Sequence, residues 1–374
     1  MDHKDSKRIV ITANTSWYLF NFRMGLLKEL IRQDFSVYAV APKDEYVRPL
    51  ENLGIIFYDL KINSKGTNFT EDIFIIRDYI KIFKKIKPHL ILSNTIKPNI
   101  YGNFAAQFLK IPVINTVSGL GTIFIKKTFS SYIGRLLYFI SFHKTNWVFF
   151  QNSTDRDLFI QGRLVNCKFS SVIAGSGVDT HKFYFNRSAN KGKVFLFAGR
   201  LLGDKGIREY IEAAKKIIKA DNSITFIIIG ELGSNNNTAI SSVELNEWLE
   251  NPQIIYKGKT NDIISELIKA DVMVLPSYRE GLSKSLIEAA AMKLPIITTN
   301  VPGCRDVVIH GQNGYLCKVK DSDDLYLKMI EMIKLTETER IEMGEFGRNI
   351  AVNKFDEKIV ISHYLEKIAL LVKN

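Results

Sequence analysis

Residues 277 to 299 read SYREGLSKSLIEAAAMKLPIITT and hold two carboxylates, Glu280 and Glu288, on either side of a helix start. The apolar run DVMVLPS just before them has the composition of a buried strand. The periodicity of Leu286 to Met292 predicts a helix that opens near Ser283, a residue type suited to the N-cap. Glu280 then lies on the strand-to-helix loop and Glu288 a turn or so inside the helix. The N–H groups of that first turn, Ser283 to Leu286, lack intrahelical partners and carry the positive end of the helix dipole, which suits a diphosphate. Phosphates repel carboxylates, so acids flanking such a place point to hydroxyls: a sugar ring for Glu280 and a ribose for Glu288. Taken alone, the spacing is equally met by an exposed helical acid and an N-terminal dipole partner.

A second constellation stands beside the first. FAGRLLGDKG leaves a strand at Gly199 and puts Arg200 and Lys205 on the next loop, at the same sheet edge as Glu280. Two fixed cations there would neutralise the charge that builds on the oxygens of a leaving diphosphate. A solvated pair on a turn is the plainer alternative.

The elements that must position these residues alternate along the chain. RIVITA, FSVYAVAP, HLILSNT, PVINTV and WVFFQNS are short apolar runs separated by stretches long enough for helices. After Lys191 the pattern restarts with KVFLFAGR, a helix over about 207–219, ITFIIIG, QIIYKG, DVMVLPS and PIITT. The fold class expected is therefore α/β, with two Rossmann-like, doubly wound parallel-sheet domains, residues 1–185 and 190–374. Ligands bind beyond the carboxyl ends of such strands, and two edges facing across a cleft would suit a reaction between two substrates.

Composition narrows the class. An apolar share of 46% with 24% charged residues is that of a globular chain. There is no run of eighteen apolar residues and no signal-like start, so a cytoplasmic location is expected. The three cysteines, Cys167, Cys304 and Cys317, lack metal or redox spacing and read as reduced core thiols. The net charge of +12 is uneven: residues 1–190 hold 26 Lys and Arg against 14 Asp and Glu, leaving 51 − 26 = 25 and 39 − 14 = 25 for the rest. No acid occurs between Asp78 and Asp155, a stretch that carries lysines, Lys126 and Lys127 among them, interleaved with aromatics. Such a face fits anionic lipid headgroups or a polyanionic substrate, or is a solvated basic face over core aromatics. No nucleic-acid-binding motif accompanies it, and nucleic acid is not expected as a partner.

The run GRLLGDKG, then DVMVLPSYREGLSKSLIEAAAMKLPIITT, VPGCRDVV and HGQNGYL, in that order, resembles the second domain of retaining, nucleotide-sugar-dependent glycosyltransferases of family 4, of GT-B architecture. GSGVDTHKF resembles that family's hinge, with Ser176 where asparagine is usual. In the first half SWYLFNFRMGLLKEL, PKDEY and SGLGTIF look like bacterial members that add N-acetylhexosamines to undecaprenyl-diphosphate-linked sugars. The resemblance implies that Arg200 and Lys205 bind the donor diphosphate, that Glu280 meets the donor sugar and helps hold the transition state, and that Glu288 binds the ribose. It further implies that the amides of Gly281, Leu282 and Ser283 touch the sugar and those of Ser285 and Leu286 the phosphates.

On the acceptor side, SGLG places Ser118, Gly119 and Gly121 at the end of a first-domain strand, with Lys126 and Lys127 following. Glycines there admit close approach to an acceptor, and a plain turn accounts for them equally well. The glycine pair usual in the family after the first strand is missing; ANTSWYLF stands there instead. His89 and His143 read as structural, and the D-x-D triplets at 155–157 and 321–323 as helix starts, where acids favour the dipole. No cofactor and no metal are expected. The function expected is retaining transfer of an N-acetylhexosamine such as GalNAc from a UDP-sugar to an undecaprenyl-diphosphate-linked saccharide in surface-glycan biosynthesis. The enzyme would associate peripherally with the inner face of the cytoplasmic membrane, and the last helix is a candidate to cross back to the first domain. The alternatives are a nucleotide-sugar epimerase of the same architecture and a non-catalytic sugar-nucleotide-binding partner.

Overall fold

The computed structural model describes residues 6–62, 69–120, 129–233 and 236–372. The chain divides into two compact units, Met1–Ser176 with Lys358–Asn374, and Gly177–Glu357.

The first unit runs β1 (Arg8–Thr12), α1 (Ser16–Arg32), β2 (Ser36–Ala41), α2 (Val47–Glu51), β3 (Ile56–Asp59), α3 (Phe69–Ile86), β4 (Leu90–Asn94), α4 (Asn103–Leu109), β5 (Val113–Val117), α5 (Phe129–Phe142), β6 (Trp147–Phe150), α6 (Ser153–Gln161) and β7 (Ser170–Val172). The strands pair in parallel in the order β3-β2-β1-β4-β5-β6-β7. Because successive side chains of a strand point to opposite faces, β1 supplies both cores. Val10 joins Tyr79 and Phe83 of α3, Tyr138 and Phe142 of α5 and Phe159 of α6 on one face. Ile9 and Ile11 join Leu19, Leu26, Leu27 and Leu30 of α1 on the other.

The second unit runs β8 (Val194–Ala198), α7 (Ile207–Ala220), β9 (Thr225–Ile229), α8 (Ser242–Leu249), β10 (Ile254–Tyr256), α9 (Ile263–Lys269), β11 (Val272–Leu275), α10 (Lys284–Ala291), β12 (Ile296–Thr299), β13 (Gly314–Cys317), α11 (Ser322–Lys334) and α12 (Glu337–Ile350). Its sheet is parallel in the order β10-β9-β8-β11-β12-β13. The chain then enters α13 (Glu357–Leu371), whose Val360, Tyr364 and Ile368 complete the first unit's second core. Tyr364 packs at a tilt against Phe149, with ring centroids 4.8 Å apart, and its hydroxyl meets Thr116 Oγ1 at 2.5 Å.

The α/β class with two doubly wound sheets is thus the observed fold. The units divide at Ser176–Gly177, within the stretch from Gly175 and Gly177 to the polar run NRSANKGK that separates the two strand patterns in the sequence. That run is held to the second unit by buried contacts: Arg187 donates to the Ala270 carbonyl and Asn190 Nδ2 to that of Asp271, both at 2.8 Å. Cys304 and Cys317 are buried, but Cys167 is exposed, against the expectation of a core thiol.

Each sheet reverses its winding direction once. Strands step one way from β1 and the other way from β4, and again from β8 and from β11. At such reversals the loops beyond the strand ends diverge to opposite faces and open a crevice, where α/β sheets receive ligands.

Candidate functional site

The crevice of the second unit lies between the loop after β8, residues 199–206, and the loop after β11, residues 276–283. Two features stitch these loops together. Tyr278 donates its backbone N–H to the carbonyl of Asp204 at 2.9 Å. Gly206, at φ 73°, packs so closely on Pro276 that a Cβ would collide with the Pro276 carbonyl.

Across that seam the Lys205 ammonium bonds Glu280 Oε1. The same oxygen accepts from Ser277 Oγ at 2.7 Å. Ser277 is fully buried at the end of β11, and its carbonyl accepts from Thr299 Oγ1. The carboxylate is therefore held by a cation from one loop and a hydroxyl from the other. Its backbone is pinned as well: Glu280 N–H donates to the Pro302 carbonyl at 3.2 Å and Ser283 N–H to that of Gly303 at 3.1 Å. Gly303, at φ 80°, leaves no room for a Cβ against the Glu280 backbone. Cys304, buried beside Glu280, has its thiol pushed up to about 12 by burial and then by that carboxylate, so it stays protonated.

Helix α10 starts at this seam. Ser283 occupies its N-cap, as the sequence predicts, yet its hydroxyl lies 3.3 Å from Ser285 Oγ and makes no capping bond. Elsewhere in the unit, Ser241, Asp262, Asp321 and Thr336 each cap their helix, α8, α9, α11 and α12, with the side chain. Helix α7 begins at Gly206, which has no side chain to offer. So the two helices at the reversal keep first-turn donors that no N-cap side chain takes, in the geometry that binds anions.

Glu288 lies one turn further along α10, buried, with its carboxylate 3.9 Å from Lys284 Nζ. Burial pushes its pKa up to about 7, against the weaker opposing pull of Lys284 and Lys182. Gly281, Ser283 and Leu286 are buried and Leu282 and Ser285 half-buried, lining the path from Glu280 to Glu288. Arg200 is exposed on the β8 loop and joins none of these contacts.

In the first unit Ser118 and Gly119 follow β5, half-buried, with Gly119 at φ 130°. Gly121, Lys126 and Lys127 lie outside the described residues. At the β1/β4 reversal, Asn14 N–H donates to Thr95 Oγ1 at 3.0 Å, and Thr95 sits at φ 68°, a strained value for a β-branched residue. The start of α1 is filled by the chain itself: Thr15 accepts from Tyr18 N–H at 3.1 Å and the Asp44 carboxylate from Trp17 N–H at 2.9 Å. This is the physical counterpart of ANTSWYLF, since an acid at the helix start replaces the glycines that would let an anion approach. Asp44, Ser277 and Thr95 escaped the sequence reading. Ser277 lies two residues past β11, where the sequence offers it as the residue that closes an apolar run, whereas the other two owe their places to contacts or backbone angles.

Both D-x-D triplets serve helix starts, with Asp155 in the first turn of α6 and Asp321 at the N-cap of α11. Among the described residues, no group of three or more His, Cys, Asp or Glu converges on a point. His89 accepts from Arg8 N–H at 2.9 Å, a structural role at the entry to β4.

Residues 179–350 match the family model described as "Glycosyl transferases group 1", and residues 8–152 the one described as "Glycosyl transferase 4-like". The chain is 26% identical to the N,N'-diacetylbacillosaminyl-diphospho-undecaprenol alpha-1,3-N-acetylgalactosaminyltransferase of Campylobacter jejuni, over 98% of this chain and 100% of that one. It is 28% identical to the UDP-Gal:alpha-D-GlcNAc-diphosphoundecaprenol alpha-1,3-galactosyltransferase of Escherichia coli, over 74% of each chain. Among solved structures it is similar to Anabaena HepE in complex with UDP-glucose, at a TM-score of 0.79 and 16% identity, over 97% of this chain and 99% of that one.

Proposed function

We propose that this chain, which belongs to the glycosyltransferases through a 4-like domain and a group 1 domain and has the GT-B fold, transfers an N-acetylhexosamine, GalNAc first, from a UDP-sugar to an undecaprenyl-diphosphate-linked saccharide. The observation that carries this is the Lys205–Glu280 pair at the sheet reversal, beside an α10 start without a side-chain cap and with the buried Glu288 one turn on. Two of the relatives that span most of this chain support the acceptor class, since both carry a diphosphoundecaprenol-linked sugar in their names.

In this reading the donor diphosphate rests on the first turn of α10, between the amides of Ser285 and Leu286 and the cations Arg200 and Lys205. Glu280 accepts from a hydroxyl of the donor sugar, whose other contacts are the amides of Gly281, Leu282 and Ser283. Glu288 accepts from the ribose. The bond from the anomeric carbon to the diphosphate oxygen breaks, and the acceptor oxygen bonds that carbon on the same face. The acceptor proton passes to the departing phosphate, UDP leaves, and configuration is retained. The cations meet the charge that grows on the leaving group, so no metal is required. The first unit takes the acceptor, with Ser118 and Gly119 as candidate contacts.

The test is incubation of the full chain with UDP-GalNAc, UDP-GlcNAc or UDP-galactose and an undecaprenyl-diphosphate-linked sugar, with and without EDTA. The expected product is one residue longer by mass, α-linked by NMR and formed in EDTA. An isomerised nucleotide sugar of unchanged mass would replace this reading by an epimerase. UDP-sugar binding without turnover on any acceptor would replace it by a binding partner.

A further inference from the structure

Helix α5 is apolar on both of its faces. Tyr138 and Phe142 are buried, with Tyr138 packing edge-on to both Phe142 and Phe159. On the opposite face Tyr132 is 61% exposed, Leu136 57%, Phe139 45% and Ile140 47%, at the spacing that makes one stripe along a helix. Helix α4 packs against both α3 and α5. The outer surface of α4 adds Phe108 and that of α3 adds Ile73 and Phe74, all exposed. A stripe of this kind on one layer of a unit marks a surface with a partner.

The charge around it indicates which partner. Arg135 and Lys144 flank the α5 stripe, Lys110 follows Phe108, and Arg77 and Lys84 continue the outward face of α3, all exposed. Of the three acids of α3, Glu71, Asp72 and Asp78, the last two are neutralised at 3.2 Å, by Lys97 and Lys81. Between Asp78 and Asp155 the sequence has no acid at all. Like charge disfavours a second copy of the same layer. Among the described residues no helix is long and apolar enough to cross a membrane, so a helix such as α5 would lie in the plane of the interface.

The geometry points to the α3–α4–α5 layer as a docking face for an anionic lipid bilayer, with Tyr132, Leu136, Phe139 and Ile140 seated among the acyl chains and the flanking cations on the headgroups. This deepens the proposed function and rests on it for its purpose, since a lipid-linked acceptor is presented at such a surface. The physics of attachment stands apart from the chemistry of transfer.

The full chain would be pelleted with phosphatidylcholine vesicles, with and without one third phosphatidylglycerol. Binding is expected to be at least tenfold tighter to the anionic vesicles and to weaken with salt. Leu136→Glu with Phe139→Glu, and separately Arg135→Glu with Lys144→Glu, should each lower it at least tenfold. Leu136→Ser with Phe139→Ser asks the same question should the glutamates disturb the circular dichroism spectrum. Equal binding of wild type and stripe variants, no binding by wild type, or a solution dimer that Leu136→Glu dissociates would each overturn the inference. Transfer to a short-chain, water-soluble acceptor analogue should be unchanged in these variants. A chain that binds vesicles yet transfers no sugar would defeat the proposed function and leave the docking face standing.

Discussion

Lys205 and Glu280 are 75 positions apart in sequence and share an ion pair across the reversal of the second sheet, where both side chains are largely shielded from water. One loop supplies the cation and the other the acid; the Lys205 N–H is held by the Leu202 carbonyl of its own loop and the Glu280 N–H by the Pro302 carbonyl of the loop after β12. A cation that meets a donor diphosphate must turn from the carboxylate, which leaves Glu280 able to accept from a sugar hydroxyl. Glu280→Gln should lower kcat by about 100- to 1,000-fold, the scale for losing one group that stabilises developing charge. Lys205→Ala should cost a similar factor and also weaken UDP binding, because it removes a diphosphate contact. The double variant should fall well short of the product of the two, as expected for directly bonded partners. Steady-state kinetics with UDP titration decides this, and full additivity would show that the two act separately.

Ser277 holds the same carboxylate oxygen at 2.7 Å from a fully buried position. Ser277→Ala removes a bond that orients Glu280 but nothing that would touch substrate. A drop of about tenfold in kcat is expected, with the donor KM little changed and stability lowered by about 1 kcal/mol. A change in KM alone would assign Ser277 to binding. Recovery of kcat in Ser277→Thr would support an orienting role.

Glu288 gives the site a pH dependence. Its folded-state pKa is about 7, above the ordinary carboxylate value, so the folded chain holds a proton that the unfolded chain releases. Stability from this group is therefore full at acid pH and lost as pH rises from about 4.5 to about 7, by roughly 3 kcal/mol at most. Glu288→Gln should flatten that slope and raise stability at pH 8, as read by denaturant unfolding. In the function proposed, the same carboxylate would have to ionise to accept from two ribose hydroxyls, so UDP affinity should rise by about tenfold between pH 6 and pH 8. In Glu288→Gln that rise should vanish and affinity at pH 8 should fall at least tenfold, by calorimetry.

The strands that build both sheet centres were legible because fully buried parallel strands read as unbroken apolar runs, as in Phe195–Ala198 and Val272–Leu275. The edges were not. In β3 Ile56 is half exposed, β7 is the three residues Ser170–Val172, and β13 begins at a glycine, so none carries the composition of a buried run. At the site, residue types and spacing named Glu280, Glu288, Arg200 and Lys205, since charge at a loop after a strand is visible in a string of letters. That Lys205 meets Glu280, that Ser283 does not cap its helix, and that Glu288 is buried enough to titrate near neutrality depend on packing between segments distant in sequence. Helix α13 returns to the first unit for the same kind of reason: Tyr364 reaches Phe149 and Thr116, contacts that no local pattern encodes.

Gly303 tests whether the site depends on the backbone that frames it. The residue has φ 80°, and its Cα faces the Glu280 backbone with no space for a side chain. The neighbouring bonds, Glu280 N–H to Pro302 and Ser283 N–H to Gly303, are what set the loop between the acid and α10. In Gly303→Ala both the positive φ and the collision oppose the native geometry, at a cost of about 1–3 kcal/mol. The loop is expected to yield before the sheet does, because β11 and β12 are buried on both sides. The variant should therefore keep its circular dichroism spectrum and lose kcat by more than its drop in melting temperature explains. Gly311→Ala is the control: it has the same φ of 80° but open space around its Cβ, and it lies away from the loop. Similar loss of kcat in both variants would mean that backbone strain anywhere in the unit, and not the contact with Glu280, is what the activity senses.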